Sequence, residues 1–67
     1  MKLYYYQSGN LKRVPKYMRF EYQTIEKAIE DVELYWRLKD KFPKGILTLI
    51  EQFVLVDEDK IIKIFDK

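Results

Sequence analysis

Thr24–Lys41, TIEKAIEDVELYWRLKDK, is the stretch of this 67-residue chain whose reading decides the fold, because only here does a helical period run for several turns. Ile25, Ala28, Ile29, Val32, Tyr35 and Trp36 recur at i, i+3, i+4 and i+7, so all six fall on one apolar stripe. Thr24 suits the N-cap, where its hydroxyl accepts an orphaned backbone N–H, although Lys27 at the third helical position rules out a capping box. Glu26, Glu30, Asp31 and Glu33 come first and Arg37, Lys39 and Lys41 follow, an order that complements the helix dipole. Glu33 and Arg37 add a favourable i, i+4 pair, and Pro43 and Gly45 end the helix. Leu34 and Leu38 fall off the stripe and are candidates for a contact with a protein partner or a second copy. Trp36, near the centre of the stripe, is expected to anchor the core.

Working outward, Met1–Gln7 alternates as a strand, with Leu3 and Tyr5 on one side and Tyr4 and Tyr6 on the other. Both sets are apolar or aromatic, so either face qualifies as the buried one. Ser8, Gly9 and Asn10 signal a turn. Two readings of the next stretch stay open: a strand from Leu11 with a bulge near Pro15, or one basic loop from Ser8 to Lys16. Tyr17–Tyr22 is expected to be a strand with Met18, Phe20 and Tyr22 toward the helix. Beyond Pro43, the spacing of Ile46, Leu47, Leu49, Ile50 and Phe53 predicts a short second helix over Lys44–Gln52. Phe53–Val56 and Ile61–Phe65 then read as strands joined by the polar loop Asp57-Glu58-Asp59-Lys60. The expected fold is one α+β domain: a small antiparallel sheet of three or four strands packed on one main helix, in ββα(α)ββ order, with one sheet face left open.

A hydrophobic share of 48% with 36% charged residues fits a compact domain whose stability comes from packing. Cysteine and histidine are both missing, so there is no disulfide staple and no usual zinc ligand. No apolar run approaches the length of a membrane span, and MKLYYYQSGN lacks the apolar core of a signal peptide; a cytoplasmic protein is expected.

Chemistry is sparse. Glu26, Glu30 and Glu33 fall on the wet side of the helix, away from any pocket suited to acid–base work, and Ser8 has no histidine to activate it. No catalytic residue, cofactor or metal site is therefore expected. Asp57, Glu58, Asp59 and Asp66 form an acidic cluster, but the glycine and distant glutamate of a calcium loop are missing, so a solvated hairpin tip is the expectation.

Charge is unevenly placed. Lys2, Lys12, Arg13, Lys16 and Arg19 against Glu21 leave residues 1–23 at +4, while the remainder carries −2. Aromatic rings are interleaved with these cations, and cations neutralise phosphates while rings stack on bases. The same pattern also arises where rings merely fill a small sheet and lysines solubilise its edge. The leading expectation is a non-catalytic binding module, an adaptor, inhibitor or regulator, acting on a protein partner through an open sheet face or strand edge. The alternative is nucleic-acid binding through Lys12, Arg13, Lys16 and Arg19 with Tyr4, Tyr6 and Tyr17. A homo-oligomer is compatible with both.

Overall fold

The alternation of KLYYYQ builds β1 (Lys2–Gln7), and the turn at Ser8–Gly9 returns the chain as β2 (Asn10–Arg13). In this computed structural model, which describes residues 1–38 and 50–66, α1 (Ile25–Arg37) follows, then β3 (Gln52–Asp57) and β4 (Lys60–Asp66). The strands form one antiparallel sheet in the order β2-β1-β3-β4, so the two hairpins meet through their first strands. This is the expected α+β arrangement, with one helix and four strands among the described residues.

Strand register settles the question of faces. Leu3 lies opposite Leu55 and Tyr5 opposite Phe53, which in turn opposes Phe65, so these five share a face. All are buried, in one cluster with Ala28, Val32 and Tyr35 of α1 and with Val14, Met18, Tyr22 and Ile50. Phe53 is the pivot: its ring lies 4.9 Å from that of Trp36 and 5.9 Å from that of Tyr35, centroid to centroid. Burying each such side chain contributes about 1.5–3 kcal/mol. Trp36 packs against the cluster, as its place on the stripe indicated.

The helix starts where its stripe does, but its burial starts a turn later. Thr24 caps it, its Oγ1 accepting from the Lys27 N–H at 3.3 Å, but Ile25 is exposed while Ala28, Val32 and Tyr35 carry the burial. Leu38 forms the C-cap, its N–H donating to the Leu34 carbonyl, and residues 39–41 lie outside the described part. Most of the expected second helix also lies outside it; Gln52, its last residue, belongs to β3 instead.

Two other expectations are corrected. Tyr17–Tyr22 is not a strand. The Met18 N–H donates to the Pro15 carbonyl in a turn, and only at the end does the chain rejoin the sheet, with Leu3 N–H donating to Phe20 O, Tyr22 N–H to Met1 O, and Glu21 opposite Lys2. Met18 and Tyr22 are buried as expected, but Phe20 is exposed. The second hairpin is tighter than a four-residue loop: Asp57 and Lys60 are paired, and only Glu58 and Asp59 turn. Asp66 consequently stands at the far end of β4, its carboxylate accepting from Gln52 Nε2 at 2.6 Å, so it takes no part in an acidic cluster at the tip.

Tyr22 ties the returning segment to the helix. Its hydroxyl proton lies within reach of Asp31 Oδ2 (2.8 Å) and the Arg19 carbonyl (3.1 Å), and Lys27 Nζ sits 3.1 Å from Asp31 Oδ1. Burial, reinforced by the hydrogen bond to Asp31, pushes the Tyr22 phenol well above its ordinary pKa.

Candidate binding face and basic cleft

The period of two that sends Leu3 and Tyr5 to α1 sends Tyr4 and Tyr6 to the opposite face. Register assembles that face in rows: Arg13, Tyr4, Val54 and Ile64 across the middle, and Leu11, Tyr6, Gln52 and Asp66 beside them. Lys2, Val56 and Ile61 form a third row. Leu11 (46%), Ile61 (53%) and Ile64 (45%) are strongly exposed, whereas Tyr4, Tyr6 and Val56 are half-buried and Val54 is fully buried. The apolar surface thus reaches both outer strands on the side away from the helix.

The edges differ. β4 is long and carries three exposed isoleucines, but its ladder shifts register between Leu55 and Val56, leaving Ile62 as an extra residue, and Lys60 and Lys63 interrupt it. A bulge and lysines are two devices that discourage edge-to-edge pairing. β2 is short and stops before Pro15, which has no N–H to continue a ladder.

That stop creates a cleft. Along β1 the edge neighbour changes from Arg13, opposite Tyr4, to Glu21, opposite Lys2, and the intervening chain leaves the sheet. The gap, about 530 Å³, is lined by the cations Lys2, Arg13 and Lys16, the rings of Tyr4 and Phe20, and Glu21, with Leu3, Val14 and Pro15. Among the described residues, no hydrogen bond or ion pair engages the side chains of Lys2, Arg13, Lys16 or Glu21.

Of the residues singled out from sequence, Tyr4, Arg13 and Lys16 meet in this cleft. Lys12 does not: it lies opposite Tyr5, and its Nζ donates to Gln7 Oε1 at 3.3 Å. Arg19 lines a neighbouring depression with Met1, Lys2, Glu21, Tyr22 and Gln23, its guanidinium 5.2 Å from the Tyr22 ring centroid and its Nε donating to the Glu21 carbonyl. Tyr6 stands on the outer face beside Leu11, and Tyr17 is exposed on the loop outside the cleft. Lys2 and Glu21, counted in the charge of residues 1–23, and Phe20 were not assigned to the site: Lys2 is distant in sequence from the other cations, and Phe20 follows an alternation that pointed it inward. Leu34 is exposed and Leu38 half-buried on α1, away from this face.

No described helix is long and apolar enough to cross a membrane. Comparison with protein-family models, curated proteins and solved structures found no match to this chain.

Proposed function

We propose that this chain is a non-catalytic binding module of the cytoplasm that docks a protein partner on the sheet face opposite α1. The observation that carries the reading is the exposure of Leu11, Ile61 and Ile64 on one face that also bears Tyr4, Tyr6 and Val56. Large apolar side chains exposed on one sheet face mark interaction sites. Arg13 and Lys16 at its corner, which have no ion pair among the described residues, favour a partner whose apolar patch is bordered by carboxylates. A photocrosslinking side chain at Ile61 or Ile64 should yield a discrete protein adduct in cells, and the same probe at Glu30, on the exposed side of α1, should not. Equal labelling from all three positions would refute the reading, and an adduct of twice the chain mass would assign the face to a second copy.

A second reading rests on the cleft alone. Three cations beside two rings form the combination that single-stranded nucleic acids require, because phosphates and bases are engaged together. Amide shifts on adding a short oligonucleotide, localised to Lys2, Arg13 and Lys16 and weakened by salt, would support it; unchanged spectra at low salt would remove it.

A further inference from the structure

We infer that the cleft between Arg13 and Glu21 holds one nucleotide of a single strand in a fixed direction, its phosphate at Arg13 and Lys16 and its base at Phe20, with Glu21 selecting bases that carry an amino group. The inference rests on the nucleic-acid reading and adds a direction and a base preference to it.

The asymmetry of the cleft supplies the direction. Arg13 and Glu21 face β1 at Tyr4 and Lys2, two residues apart, which is about 7 Å along a strand. A phosphate is drawn to the end bearing Arg13 and Lys16, where two cations stand together, rather than to the end where the charge of Lys2 is offset by Glu21 opposite it. The base must therefore lie toward Phe20 and Glu21, where Phe20 offers an exposed ring. A volume of about 530 Å³ lies within the range of small-ligand sites.

The carboxylate supplies the preference. An ionised carboxylate only accepts hydrogen bonds, so it pairs with the exocyclic amino group of cytosine and repels the carbonyl that uracil presents at the same position. An acidic peptide would use the cations equally well, but Glu21 would oppose it, and this is why a nucleotide fits the cleft better.

The test is fluorescence anisotropy of the full chain with labelled hexamers of deoxycytidine and deoxyuridine, near pH 8, at low and moderate salt. Wild-type protein should bind the cytidine strand about tenfold more tightly, the effect of one hydrogen bond to a charged group. Glu21→Gln should erase the difference, since an amide accepts or donates. Arg13→Ala with Lys16→Ala should weaken both strands alike. Both positions are exposed, and an unchanged unfolding midpoint verifies that each variant is folded. Equal, salt-sensitive binding of both strands by wild-type protein would overturn the role of Glu21 while leaving the nucleic-acid reading in place. Absence of binding at low salt would overturn both.

Discussion

Tyr4 and Val54 oppose one another at the centre of the β1–β3 ladder, and the two hairpins are arranged about that pair as if by a local twofold axis. A rotation there exchanges β1 with β3 and β2 with β4, carrying the pair Leu3–Leu55 onto Phe53–Tyr5. It also carries the turn Ser8–Gly9 onto Glu58–Asp59, and both turns have positive φ at both central residues. The relation is absent from the side chains, LYYYQSGNLK against FVLVDEDKII, and exists only in the backbone.

Positive φ is what a two-residue hairpin turn requires, and Gly9 meets it at +79° without strain. Glu58 (+48°) and Asp59 (+66°) meet it at a cost, because their Cβ atoms crowd the backbone in the left-handed region. Glu58→Asn with Asp59→Gly should therefore raise the free energy of unfolding by about 1 kcal/mol. Gly9→Ala should lower it by a similar amount. Urea unfolding of the two variants checks both signs, and a loss of stability in the first would contradict the turn geometry.

Strand parity makes a sharper contrast. Leu3→Ala and Tyr5→Ala each remove a buried contact with the α1 cluster and should cost roughly 2–5 kcal/mol, a large part of the stability of so small a domain. Tyr4→Ser with Tyr6→Ser should leave cooperative unfolding in place, because these half-buried side chains lie on the other face. Near-complete unfolding of the Tyr4/Tyr6 variant, with the Leu3 variant tolerated, would invert the assignment of faces.

Phe53 offers a spectroscopic test of the helix–sheet contact. Phe53→Leu keeps the site apolar but removes the ring next to Trp36 and Tyr35. The expected outcome is a loss of about 1–3 kcal/mol together with a changed Trp36 emission in the folded state. Unaltered emission would place the indole elsewhere.

Alkaline pH tests the Tyr22 link. Its phenol is raised above the ordinary value of 10.0 in the folded chain, so the unfolded chain releases that proton first. Stability from this group is complete below pH 10 and falls as pH rises above it, by up to about 1.4 kcal/mol per pH unit. Tyr22→Phe should cost about 1 kcal/mol at neutral pH, through the lost hydrogen bond, and the difference from wild type should shrink above pH 10. A difference that stays constant to pH 11.5 or so would show the phenol to be unperturbed.

Much of the fold was legible because periodicity is local. The stripe from Ala28 to Trp36 marks α1, Thr24 marks its start, and alternation marks β1, β3 and β4. Legibility failed where a long-range bond outweighed a local pattern. Met18, Phe20 and Tyr22 alternate like a strand, yet their segment is held by a turn at Pro15, by backbone bonds to Met1 and Leu3, and by the Tyr22 hydroxyl on Asp31. The turn at Glu58–Asp59 was read too long because it holds no glycine and Glu58 is not a residue that favours positive φ.

The sequence by itself determined the main helix and its apolar side, the strands β1, β3 and β4 and the concentration of cations in the first 23 residues, since each depends only on neighbours along the chain. Tertiary structure alone decided that Leu3 and Tyr5, and not Tyr4 and Tyr6, face the helix. A strand with apolar or aromatic side chains on both faces has two equivalent solutions, and only the partners across the ladder choose between them. It also decided the cleft, because Lys2, Arg13, Phe20 and Glu21 become neighbours only when the chain leaves the sheet at Pro15 and returns to pair with the start of β1.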